Sequence, residues 1–286
     1  MIKSSLGETC FRAANYAVLL LLSITMILPI IHVLALSLSD PAAVDAHKVQ
    51  FVPIEPTSAA WTHIVNKADL WRALGVNIFI TVVGTLLSLL VSSLLAYPLA
   101  RKDFHLRKIM MLGIVFTMIF QAPMIPYFLT IKALGLLDSI WVLILPSTIS
   151  AFNLIILRTF FQQLPFELEE SARIDGCTDY GILFRVVLPL SKPALATMGL
   201  FYAVIYWNMF YHAILFIRSP KLYPLQLKLR ETMVNTDLAA NLNLMAYNSQ
   251  TLQAATIIFV TLPILLVYPF IQKYFVQGAT LGAVKE

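Results

Sequence analysis

Residues 162–189 read QQLPFELEESARIDGCTDYGILFRVVLP, a polar island between two long apolar runs. Glu167, Glu169, Glu170, Asp175 and Asp179 all fall within it. Burying such carboxylates in hydrocarbon costs several kcal/mol each, so the island is expected in water beside a membrane. Pro165 suits a helix start, and the glutamates after it favour the positive amino end. Gly176 is a natural helix stop. Thr178 can cap a second short helix that runs to Val187 and ends before Pro189. The stretch predicts two short helices with a glycine corner, a knob projecting from a membrane protein.

The composition agrees. Of 286 residues, 59% are hydrophobic and 12% charged, against about 25% charged in soluble domains. The net charge of +5 bears on membrane orientation. No basic run with interleaved aromatics points to nucleic acid. Cys10 and Cys177 suggest neither a disulfide framework nor a metal site.

Apolar runs at about 17–38, 77–99, 109–130, 140–161, 193–217 and 252–276 each approach the ~20 residues that a bilayer requires. The expected fold is all-α: a polytopic membrane protein with six transmembrane helices and a loop at 162–189 carrying the short helices. The first run is too long for a signal-peptide core. Residues 1–16 read as a polar leader, and 39–75 as an outer loop with an amphipathic segment near Trp61. Arg101, Lys102, Arg107 and Lys108 crowd the loop after the second span and place it in the cytoplasm. With six spans both termini share that side, which then holds 12 of the 20 Lys and Arg residues.

Several chemistries are absent. Gly176 and Gly181 have the glycine spacing of a phosphate-cradling loop, but Ile182 and Leu183 stand where Lys and Ser/Thr are required. No cluster has metal-ligand spacing, and no nucleophile elbow is present. The chain therefore reads as a non-catalytic membrane protein without a cofactor of its own.

The knob resembles the coupling loop of binding-protein-dependent ABC importer permeases. That family's pattern is Glu-Ala-Ala, three residues, Gly, nine residues, then Ile-x-Leu-Pro. Here it reads Glu170-Ser171-Ala172, Gly176 and Val186-Val187-Leu188-Pro189. The stretches AYPLARKDF, FNLIILRTFFQQLP, LPLSKPALATMGLFYAVIYWN and LYPLQLKLRE are similar to the carbohydrate-importing, maltose-transporter-like branch, especially permeases for complex oligosaccharides. Ala122-Pro123 departs from that branch's glycines before Ile-Pro, implying a different bend in the third span.

The resemblance implies that the first knob helix docks on a cytoplasmic ATPase. Phe166, Leu168, Ala172, Ile174 and Tyr180 would be apolar anchors, with Glu167, Glu169, Glu170, Arg173 and Asp175 as a charged rim and Gly176 as the turn. It also implies a homologous permease partner forming a heterodimer, two ATPase subunits, an extracytoplasmic solute-binding protein, and residence in a bacterial inner membrane. Polar and aromatic residues within the spans, Gln121, Asn153, Tyr202, Tyr206, Trp207, Asn208, Tyr211 and His212, are candidates for the substrate path. Interhelical packing is the alternative for each. Trp207 and Tyr211, and likewise Asn208 and His212, are four apart and expected on shared helix faces. The cations of the last outer loop, Arg218, Lys221, Lys228 and Arg230, suit an acidic partner surface, an acidic (uronate-type) oligosaccharide, or simply a solvated face. The readings carried forward are sugar import, import of another solute, and an ion-coupled secondary carrier. The last is disfavoured because the expected spans hold no Asp or Glu to act as a relay.

Overall fold

The structure is a computed structural model of the 286-residue chain and describes residues 6–120, 122–241 and 249–283. It is all-α, with no strand among the described residues. In order the helices are α1 (Leu6–Ser37), α2 (Pro41–Asp45), α3 (Ala59–Val65), α4 (Ala68–Ala100), α5 (Arg107–Ile119), α6 (Met124–Ala133), α7 (Trp141–Ile144) and α8 (Ala151–Gln162). There follow α9 (Phe166–Ile174), α10 (Asp179–Ile182), α11 (Leu188–Leu190), α12 (Lys192–Trp207), α13 (Tyr211–Phe216), α14 (Leu225–Asn241) and α15 (Ser249–Ala283). Among the described residues, three helices, in α1, α4 and α15, are long and apolar enough to cross a bilayer, and up to six crossings result if each of three bent pairs is one span.

Breaks interrupt the runs expected at 109–130, 140–161 and 193–217, the first of them beside Pro123, where a different bend is expected. Pro123 has no N–H and sits at the start of α6 in an extended conformation, so α5 and α6 are separate helices. Trp141–Ser147 and Ala151–Gln162 meet at 50°, with Ser150 capping α8 through a bond from the Asn153 amide at 3.4 Å. The run expected at 193–217 is interrupted after Trp207: Asn208 ends α12 and turns its amide back to the Val204 carbonyl at 2.9 Å. Two helices begin earlier than expected. α1 starts at Leu6, with Glu8 in its first turn. α4 starts at Ala68 and spans 33 residues, about 50 Å, well beyond the ~30 Å of a hydrocarbon core.

The chain divides into two compact units, Met1–Leu70 with Leu229–Pro263 and Trp71–Lys228 with Ile264–Glu286. In the first, Ala35, Val44 and Val49 form a small core. There His32 Nδ1 meets the Gln50 carbonyl at 2.6 Å and Trp61 Nε1 donates to Ser37 Oγ at 3.3 Å. The second unit has two cores. One gathers Ala96, Leu99, Leu157, Phe161, Ala172, Leu183 and Val187. The other gathers Ile80, Leu143, Ile144, Tyr202, Tyr206 and Phe216. α4 contributes to both. It exposes Val82, Leu86 and Leu90, four apart on one face and suited to lipid, and turns small and polar residues inward.

Candidate functional site

The knob forms as its local code requires. α9 starts at Phe166 after Pro165, with Glu167 and Glu169 in its first turn. It ends in a Schellman turn: the Cys177 amide donates to the Ala172 carbonyl at 2.9 Å and the Gly176 amide to that of Arg173 at 3.0 Å. Gly176 holds a φ of +82°, a conformation that side-chain-bearing residues adopt at a cost. Thr178 caps α10 by accepting from the Gly181 amide at 3.2 Å, and Arg173 pairs with Asp179 at 3.2 Å across the corner. The second helix does not end before Pro189. A π-turn over Leu183–Val187 leads into α11, and its wider winding relieves the conflict between the proline ring and the preceding turn.

Glu169 corrects a second expectation. It does not lie in water on the rim: only 2% of it is exposed. It forms an ion pair with Arg101, just beyond α4, and accepts a long hydrogen bond from Tyr97 at 3.4 Å. The Arg101 guanidinium lies 4.9 Å from the centre of the Tyr97 ring. Burial pushes the Glu169 carboxyl above its ordinary value, and the attraction of Arg101 offsets this only in part. Ala172, one turn on, is also buried, in the core with Leu99 and Phe161. So one face of α9 is bolted to its own chain. The rest of α9 is open: Phe166, Leu168, Glu170, Arg173, Asp175 and Gly176 are exposed, as are Ile174 and Tyr180 of the same knob.

The candidate path residues fall into two groups. Asn153 and Trp207 are buried, and Asn153 Nδ2 and Trp207 Nε1 have no hydrogen-bond partner among the described residues. Asn208 and Tyr211 are exposed, and Tyr211 reaches Met124 Sδ at 3.2 Å. His212 Nε2 meets the Tyr127 hydroxyl at 3.0 Å. Because α12 stops between them, Trp207 and Tyr211 do not share a helix face, nor do Asn208 and His212. Gln121 lies outside the described residues.

Reading by residue type missed a polar seam on α4. Asn77, Thr81, Thr85, Ser88 and Ser92 recur three or four apart, a helical period visible in the sequence. Asn77 Nδ2 donates to the Trp207 carbonyl at 3.4 Å. Ser88 Oγ meets the Tyr206 hydroxyl at 2.9 Å, and Ser92 Oγ that of Tyr202 at 2.7 Å. Tyr206 also donates to the Ile144 carbonyl at 3.1 Å. Gly84 makes room for this ring: a Cβ there would lie 2.6 Å from Tyr206 Cζ. Asn77 Oδ1, Thr81 Oγ1 and Thr85 Oγ1 are buried without a partner among the described residues. A second missed feature is Asp138, at φ +56°, whose carboxylate accepts from the Arg218 and Ser219 amides at 2.9 and 2.8 Å and from Ser219 Oγ at 2.5 Å. Those bonds hold its carboxyl below the ordinary range and tie the turn after α6 to the start of the last loop.

Residues 10–280 match the family model of the binding-protein-dependent transport system inner membrane component. The chain belongs to that family. The permease is 47% identical over 280 residues to the polygalacturonan/rhamnogalacturonan transport system permease protein YtcP of Bacillus subtilis, covering 96% of this chain and 98% of that one. It is 33% identical over 238 residues to the arabinooligosaccharides transport system permease protein AraQ of Halalkalibacterium halodurans, covering 82% of each. Its fold superposes, with a TM-score of 0.88 and 33% identity, on a chain in the crystal structure of a bacterial ABC transporter involved in import of the acidic polysaccharide alginate, covering 96% of this permease and 100% of that chain.

Proposed function

We propose that the permease is the non-catalytic membrane subunit of an ATP-driven importer that moves an acidic oligosaccharide of the uronate type across a bacterial inner membrane. The observation that carries this reading is the knob: a buried anchoring face at Glu169 and Ala172 beside exposed apolar side chains at Phe166, Leu168 and Ile174, in a chain 47% identical to a polygalacturonan/rhamnogalacturonan permease. In this reading α9 and α10 face the cytoplasm, as do both termini, and dock on one of two ATPase subunits. A homologous permease completes the pore, and an extracytoplasmic binding protein delivers the sugar.

The mechanism follows from the packing. Movement imposed on the exposed face of α9 passes to the end of α4 through the Glu169–Arg101 pair and to α8 through the core around Ala172. Protein cores are close-packed and transmit displacement. α4 also carries the polar seam, so the same lever displaces Asn77, Thr81 and Thr85 relative to the Trp207 segment. Buried groups without a partner cost about 1–3 kcal/mol each, and Asn77 Oδ1, Trp207 Nε1 and Asn153 Nδ2 suit the hydroxyls of a sugar. Arg218 and Lys221, next to the Asp138 clamp, suit its carboxylates.

The test is ATP hydrolysis by the complete importer reconstituted in vesicles with its binding protein. Oligogalacturonates are expected to stimulate hydrolysis more than neutral arabino-oligosaccharides do. Equal stimulation by the neutral sugars would contradict the acidic assignment. Failure of every sugar to stimulate would contradict sugar import.

A further inference from the structure

A second polar feature, separate from the knob's exposed face, lies where α4 ends and α5 begins. A cleft of about 1020 Å³ is lined there by Lys102, His105, Arg107, Lys108 and Arg158, with Asp103 as its one carboxylate. None of its four Lys and Arg side chains is in an ion pair among the described residues. Arg158 Nε donates to the Leu99 carbonyl at 2.9 Å, which fixes its guanidinium at the cleft wall. With its amide oriented to satisfy both guanidiniums, Gln162 accepts from Arg158 Nη2 at 3.0 Å and from Arg107 Nη2 at 2.8 Å. Two guanidiniums converge on one neutral oxygen, so their charge is gathered and not cancelled. The amino end of α5, a 13-residue helix without a side-chain cap, adds partial positive charge at the same place.

The cleft also has an apolar wall: Phe104 and Met111 line it, and α5 exposes Leu112, 72% exposed, and Val115 beyond Lys108. A phosphate alone has no use for that wall. A lipid uses both parts: its phosphate in the cations, its acyl chain along Leu112 and Val115. We infer that this cleft binds the phosphate headgroup of an anionic membrane lipid. Basic pockets at the ends of apolar helices suit such headgroups, and the guanidinium fork suits phosphate oxygens. The site acts as an anchor at headgroup depth for the α4–α5 corner, immediately beside the Arg101 that holds α9. It does not depend on which sugar is carried.

The experiment is native mass spectrometry of the purified full-length permease, exchanged from mixed micelles of phosphatidylglycerol and phosphatidylcholine. Selective retention of phosphatidylglycerol is expected. Arg158→Gln should reduce it about fivefold and Arg107→Gln with Arg158→Gln about thirtyfold, from the ~1 kcal/mol worth of each cation near an anionic surface. Lys108→Gln, an exposed substitution that touches no internal bond, should reduce it about fivefold as well, and it decides the matter if the arginine variants do not fold. Lys132→Gln, in the last turn of α6 and outside the cleft, should have no effect. Equal retention of the two lipids, or retention unchanged in Lys108→Gln and Arg158→Gln, would overturn the inference. Displacement of the lipid by inorganic phosphate at equal concentration would overturn the commitment to a lipid and leave a simple anion site.

Discussion

Glu169 and Arg101 show why a carboxylate inside this knob need not be solvated. Its neighbours Glu167 and Glu170 are exposed, whereas Glu169 turns onto the end of α4 and is sealed there with a cation and a phenol. Its folded pKa lies above the unfolded one because burial outweighs the arginine's attraction. The associated stability is therefore present below the ordinary glutamate range and is lost as pH rises through the raised value. An asymmetry follows. Arg101→Gln leaves a buried carboxylate without its cation and should cost about 3–5 kcal/mol at neutral pH, with recovery on acidification. Glu169→Gln resembles the protonated acid and should cost less. Thermal unfolding of the purified permease across pH tests this, and an equal loss in the two variants would contradict it. Neither partner announces the pair in the sequence. Arg101 belongs to a loop of four cations and Glu169 to an island of five acids, so only the fold shows which cation meets which acid.

At the scale of elements, the seam between α4 and α12 depends on close approach. Tyr202 and Tyr206 are fully buried and spend their hydroxyls on Ser92 and Ser88. Gly84 lies against the Tyr206 ring, whereas a Cβ at Gly75 on the same helix would meet nothing within 4 Å. Gly84→Ala should therefore destabilise the permease by about 1–3 kcal/mol through overpacking. Gly75→Ala should be neutral or stabilising by up to about 1 kcal/mol. Comparing their melting temperatures checks both, and equal shifts would contradict the seam. Much of this scale was legible beforehand. Apolar runs located the long helices, and Gly176 and Thr178 located the knob's corner and cap through local chemistry that needs no distant partner. The breaks after Ile119 and Trp207 were not legible from hydropathy, because an apolar run stays apolar across a kink. The loss of the expected Trp207–Tyr211 and Asn208–His212 faces follows directly from the second break. Trp207 and Asn153 were singled out as polar groups within spans and are indeed buried, but the five seam residues of α4 were passed over because each is small and only their spacing is informative.

At the scale of the whole molecule, the knob has one face fixed to its own chain and the rest of its surface open. The family, the all-helical fold and the long apolar helices place it in a membrane transport system. The knob's exposed apolar side chains have no partner within the second unit's cores, which is the arrangement expected of a surface completed by another subunit. Ile174, 86% exposed at the tip of α9, is the most direct probe of that surface. It contributes little to the permease's own packing, so Ile174→Asp should alter stability by no more than about 0.5 kcal/mol. The decisive measurement is sugar-stimulated ATP hydrolysis by the reconstituted importer carrying Ile174→Asp, with the melting temperature of the permease taken on the same sample. The account predicts that stimulation is lost while the melting temperature is unchanged. Full stimulation in the variant would contradict the assignment of the 162–189 knob as the coupling element.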